Sequence, residues 1–136
     1  MAEKSPWTIT GELMIEIRNP LIGGFNPDPS ILYHQGNYYL VTSTFEYLPG
    51  IPIYTSTDLA NWTLLSHVVT RPEQLKLHGV PTGGGVWAPT IREHDGTFYV
   101  VVTEAMGRGT LIFTAANPAG PWDNGTVVDV NGIDPD

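Results

Sequence analysis

An all-β chain built from one repeated unit is what this sequence predicts, on three observations. Turn-forming residues are dense, with 15 Gly and 12 Pro in 136 residues, about a fifth of the chain, which suits short strands joined by turns rather than helices. No segment carries the apolar period of an amphipathic helix. The third observation is a repeat at an offset of sixty positions. Gly36-Asn37-Tyr38-Tyr39-Leu40-Val41-Thr42-Ser43 lines up with Gly96-Thr97-Phe98-Tyr99-Val100-Val101-Val102-Thr103, Pro29-Ser30-Ile31 with Pro89-Thr90-Ile91, and Trp62 with Trp122. A repeat this long, holding four short strand signals, reads as the blade of a β-propeller.

In chain order, the apolar segment 12–18 predicts a strand ahead of the first unit, within an N-terminal extension of residues 1–18. The first unit reads as strands 30–34, 37–44, 51–56 and 62–69, and the second as 90–94, 97–104, 110–115 and 125–130. Gly36 and Asp95-Gly96 supply the first hairpin turn of each unit. Residues 70–86, with Pro72, Pro81 and Gly83-Gly84-Gly85, form the link between units. Tyr38-Tyr39 and Phe98-Tyr99 suit sheet-on-sheet packing, and Trp62 and Trp122 are expected in the core between blades. Two blades and the start of a third, Gly132 to Asp136, cannot close a ring of about four to eight blades. The expectation is that residues 19–136 are the N-terminal part of a propeller that a further segment or a complementary C-terminal chain completes. Open sheet edges would invite that association.

Composition narrows the function. Hydrophobic residues are 41% of the chain, enough for a core, and charged residues only 15%, which excludes disorder driven by charge. The net charge of −8, with six dispersed Lys and Arg, argues against nucleic-acid and membrane-surface partners, because both need clustered positive charge. Without cysteine there is no disulfide, thiolate nucleophile or cysteine-ligated zinc. No apolar run has the length of a signal peptide or a membrane span, so a cytoplasmic location is the expectation.

The repeat also singles out carboxylates. Asp28 precedes Pro29 at the start of an inner strand, and the corresponding positions are Ala88 and, at the third start, Asp134. First strands of propeller blades line the central channel, so Asp28 and Asp134 are expected to converge on one pocket although 106 positions separate them. Paired carboxylates in a pocket are the equipment of glycoside hydrolysis. The plainer reading is that Asp-Pro is a turn dipeptide capping its own backbone. Phe45 and Trp87 are candidates for stacking on sugar rings, against the alternative of core packing. Glu46 and Glu104 read as polar strand-end residues. His34, His67, His78 and His94 show no metal-ligand spacing, and Gly83-Gly84-Gly85 lacks the Lys-Ser/Thr of a phosphate loop.

With these motifs in view the chain resembles glycoside hydrolase family 43, the β-xylosidase and α-L-arabinofuranosidase group. The resemblance begins at Asn19-Pro20-Leu21-Ile22-Gly23-Gly24-Phe25-Asn26-Pro27-Asp28-Pro29-Ser30 and continues from Tyr38 through Tyr47 and from Pro49 to Ile53. It extends over Ser56 to Trp62, Gly84-Gly85-Val86-Trp87-Ala88-Pro89 and Gly132-Ile133-Asp134-Pro135. The resemblance implies an inverting hydrolase on a five-bladed β-propeller, of which this chain holds about two blades. It implies that Asp28 is the general base, that Asp134 tunes and orients the general acid, and that Phe45 and Trp87 wall the sugar subsite. The acid itself is a glutamate on a later blade, and no position here matches it. The implied activity is exo-acting release of xylose or arabinose from plant cell-wall oligosaccharides. The other class left open is a non-catalytic carbohydrate-binding or protein-interaction propeller. No cofactor is expected; some relatives hold a cation in the channel, and no ligand set for one is visible in this sequence.

Overall fold

The computed structural model describes residues 16–136, and it contains two four-stranded antiparallel sheets. The first is β1 (Ser30–His34), β2 (Asn37–Val41), β3 (Gly50–Ser56) and β4 (Thr63–Val69), paired in chain order. The second is β5 (Gly85–His94), β6 (Thr97–Ala105), β7 (Gly109–Ala115) and β8 (Thr126–Val128), again in chain order. Each sheet is one blade, and the predicted strands are all present. The strand expected over 12–18 lies largely outside the described residues, and 16–18 are not in a strand.

Local sequence explains the turns. Gln35-Gly36 and Asp95-Gly96 each take positive φ at both positions, 47° and 84°, then 48° and 77°. That is the two-residue hairpin turn whose twist matches the flanking strands, and it sets the registers His34↔Asn37 and His94↔Thr97. Alternation then selects the core. Phe98, Val100 and Val102 on β6 and Leu111, Phe113 and Ala115 on β7 are buried on one face. They join Val41, Ile51, Ile53 and Val69 of the first blade and Val86 and Ile91 of β5 in a single cluster between the sheets. Each such fully buried side chain contributes on the order of 1.5–3 kcal/mol.

Polar groups then fix how the blades meet. Gln74 is fully buried in the link, yet every polar atom of its amide is used. Its Oε1 accepts the N–H groups of Thr70 and Arg71 at 2.9 and 3.0 Å, and its Nε2 donates to Val68 O and Asp123 O at 2.9 and 2.8 Å. The link thereby ties β4 to the segment before β8. Arg71 adds a bond to Trp122 O at 2.9 Å. Trp122 is buried, whereas Trp62 at the matching position is only half-buried. Trp62 therefore departs from the expected core placement.

Near the channel, β2 stops at Val41 rather than reaching 44. The chain leaves its hairpin partner there, and Phe45 instead pairs with Val86 of the next blade by two backbone hydrogen bonds of 3.0 Å each. The same pairing starts β5 at Gly85, five residues earlier than the sequence suggested. Gly85 takes a φ of +89°, and a Cβ there would stand 2.4 Å from Phe45 O, so only glycine permits the approach.

Candidate active site

Three repeat-related residues, one just before β1, one within β5 and one near the end of the chain, all adopt left-handed backbone. Asp28, Ala88 and Asp134 have φ of 53°, 35° and 55°. Aspartate visits this region more readily than other residues, through its short polar side chain. Alanine does not, and at Ala88 the β5–β6 register slips between Trp87 and Thr90, a bulge of the kind that re-aims side chains beside active sites. The three residues line one cavity of about 380 Å³, with Arg92, Pro135 and Asp136. Asp28 and Asp134, both exposed, are thus brought to one pocket from different ends of the sequence. Arg92 and Asp136 form an ion pair on its wall.

The loop carrying Asp28 is tethered at three consecutive residues. Tyr54 Oη donates to Asn26 Oδ1 at 3.0 Å, Ser43 N–H donates to Pro27 O at 3.0 Å, and Ser43 Oγ donates to Asp28 Oδ2 at 2.7 Å. Ser43 Oγ also accepts the N–H of Ala88 at 2.7 Å. Asp134 is held more simply, its N–H donating to Thr103 Oγ1 at 3.2 Å. Ser43 and Thr103 are repeat partners. Their alignment was visible in the sequence, but a hydroxyl at a strand end carried no signal that it would reach the next blade.

Phe45 lines a second, larger cavity of about 630 Å³ with Phe25, Glu46 and Tyr47. The rings of Phe25 and Phe45 lie 5.7 Å apart at 32°. Phe25 was not singled out by the sequence; its place after Gly23-Gly24 was the available signal. Trp87 stands on β5 beside the bulge, half-buried, with its indole N–H donated to Gly83 O at 2.7 Å, and it is not in the wall of either cavity. Glu46 Oε2 accepts the N–H of Gly83 at 3.1 Å.

Glu104 has a structural part. It is fully buried and bound to Arg108, whose Nε lies 2.6 Å from Oε2. Burial alone would push its carboxyl up, but hydrogen bonds from the Arg108 side chain and from the N–H groups of Lys76 and Arg108, with the guanidinium charge, outweigh burial and hold it below the ordinary value. Among the described residues no three His, Asp or Glu side chains converge as metal ligands.

A pair of carboxylates in one cavity, at the first and third repeat starts and beside an aromatic cavity, defines a site of the glycoside-hydrolase kind. The chain belongs to the glycosyl hydrolases family 43, whose model matches residues 17–136. It is 53% identical over 111 residues to a non-reducing end α-L-arabinofuranosidase of Bacteroides ovatus, covering 79% of this chain and 21% of that protein. It is 42% identical over 125 residues to a xylosidase/arabinosidase of Butyrivibrio fibrisolvens, covering 90% of this chain and 24% of the relative. A solved family 43 structure from the Bacteroides ovatus xyloglucan locus superimposes with a TM-score of 0.83 at 49% identity, covering 88% of this chain and 24% of that one. The chain therefore spans about a fifth to a quarter of the length of these relatives, and its two sheets are a partial N-terminal portion of the family's five-bladed propeller.

Proposed function

We propose that this chain supplies the general-base side of an inverting, exo-acting glycosidase releasing xylose or arabinose from cell-wall oligosaccharides. The activity then resides in the propeller completed by the remaining blades, on the same chain or a complementary one. The observation that carries this reading is the meeting of Asp28 and Asp134, from the first and third repeat starts, in one cavity. In the proposed reaction Asp28 takes a proton from water as the water attacks the anomeric carbon. The glycosidic C–O bond breaks on the opposite face, and its oxygen is protonated by a glutamate contributed by a later blade. Asp134 orients that acid and raises its pKa by like-charge repulsion. Phe45, in the wall of the aromatic cavity, stacks on the sugar, and Trp87, which lines neither cavity, supports the Gly83 loop through its indole N–H. Inversion needs acid and base roughly 6.5–9.5 Å apart, so that a water fits between base and substrate.

The test is hydrolysis of an aryl xyloside and an aryl arabinofuranoside by the completed propeller and by the 136-residue chain alone, with the first-formed sugar anomer read by NMR. The completed propeller is expected to turn over at least one substrate with inversion. The chain alone is expected to be slower by on the order of 10²–10⁴ or more, because the leaving group receives no proton. Retention of configuration, or full turnover by the purified chain alone, would overturn the reading.

A further inference from the structure

The hydroxyl of Ser43 does something that a base and an acid alone do not explain. We propose that Ser43 is a positioning residue for Asp28, through which the backbone of the second blade orients the carboxylate of the first. This rests on Asp28 being the base, as proposed above.

Ser43 is 1% exposed, and its Oγ lies 2.7 Å from both Ala88 N and Asp28 Oδ2. An amide nitrogen only donates, so the serine oxygen accepts from Ala88 and its single proton is directed to the carboxylate. The resulting N–H···O–H···O chain polarises in one direction, each bond strengthening the next. Ser43 N–H holds Pro27 O at the same time, so one residue grips both the backbone and the side chain of the Asp28 loop. Among the described residues Asp28 Oδ1 accepts no hydrogen bond, which leaves that oxygen open to the cavity for a water proton while Oδ2 is held.

The repeat separates this role from a plain structural latch. In the second blade Thr103 Oγ1 accepts the N–H of Asp134 in the same way, so the hydroxyl-to-backbone latch belongs to both blades. At the position equivalent to Asp28, however, the second blade has Ala88, which offers Thr103 no carboxylate. Only the first blade extends the latch to an acid. Strand geometry alone needs an acceptor for the N–H and nothing more.

The experiment measures kcat, KM and melting temperature for Ser43→Ala, Ser43→Cys, Ser43→Thr and Asp28→Asn in the completed propeller, on an aryl glycoside that the parent hydrolyses. Ser43→Ala leaves the Ala88 N–H without its acceptor, so a fall in melting temperature is expected whichever role is correct. The deciding quantity is kcat well below the melting range. Ser43→Ala and Ser43→Cys are expected to lose about 10-fold or more in kcat with KM nearly unchanged, the cost of a misplaced reacting group. Ser43→Thr, which keeps a strong hydroxyl donor as Thr103 does, is expected to retain kcat within about threefold. Where Ser43→Ala does not fold, the comparison of Ser43→Cys with Ser43→Thr decides. Parent-like kcat in the Ala or Cys variant, beside an inactive Asp28→Asn, would overturn the positioning role and leave the base intact. Parent-like kcat in Asp28→Asn would overturn the base reading, and the proposal with it.

Discussion

Asp58 lies in the turn between β3 and β4, where its carboxylate gathers four donors. Asn61 contributes most, through its side-chain amide and its backbone N–H, both at 2.8 Å; the Ala60 N–H and Ser56 hydroxyl add the rest. Against the opposing effect of burial, these bonds lower its pKa to about 2. A carboxyl whose pKa is depressed on folding stabilises the fold above its unfolded value and loses that contribution as pH falls through the folded one. The melting-temperature gap between the parent and Asp58→Ala is therefore expected to be widest above about pH 5 and to narrow as the pH falls toward 2. Thermal melts across that range check it, and a gap that stays constant down to pH 2 would contradict it. At this scale the sequence was partly legible. Asp28 and Asp134 stood out because the repeat gave them equivalent places, and the cavity they share agrees with that. Ser43 and Phe25 did not stand out, because what they touch depends on how one blade meets another, and no periodicity within a blade encodes that.

The strands themselves were the most legible feature. Tyr38-Tyr39 and Phe98-Tyr99, bounded by glycine turns and sixty positions apart, marked both central hairpins, and the registers follow from two-residue turns. The errors fall where pairing partners change. Residues 42–44 read as a continuation of β2, but the ladder ends at Val41 and Phe45 bridges to Val86 of the next blade; the local pattern cannot say which neighbour a strand end will choose. β8 ends at Val128 although the apolar alternation runs to 130, and the backbone instead turns back, Val130 N–H donating to Val128 O. The cross-blade pairing gives Gly85 a testable part. In Gly85→Ala the new Cβ meets the Phe45 carbonyl in a backbone conformation that L-residues avoid. The substitution is expected to destabilise by about 2 kcal/mol or more, since two of the mechanisms behind large losses coincide. Denaturant unfolding of the paired variants measures it, and a midpoint within error of the parent would show that the Phe45–Val86 bridge is dispensable.

Across the whole molecule the two blades behave as one folded body. One apolar cluster spans both sheets, and Gln74 and Arg71 bind the second blade from the link that follows the first. Outward, Ile31 and Tyr33 of β1 and Leu64 of β4 remain 48%, 61% and 55% exposed, so the first sheet presents apolar surface of the sort that further blades cover. The cavity likewise brings together Asp28, Ala88 and Asp134 from the three repeat starts. On the proposed reading Asp28 is the base and the acid arrives with a later blade. The most direct measurement is kcat and melting temperature of Asp28→Asn beside the parent in the completed propeller, on an aryl xyloside and an aryl arabinofuranoside. Asparagine keeps the shape and an oxygen for Ser43 to bind while losing basicity, so the melting temperature is expected to hold and kcat to fall by roughly 10²-fold or more. Unchanged turnover on both substrates at unchanged stability would show that Asp28 only forms a turn and that the base lies elsewhere.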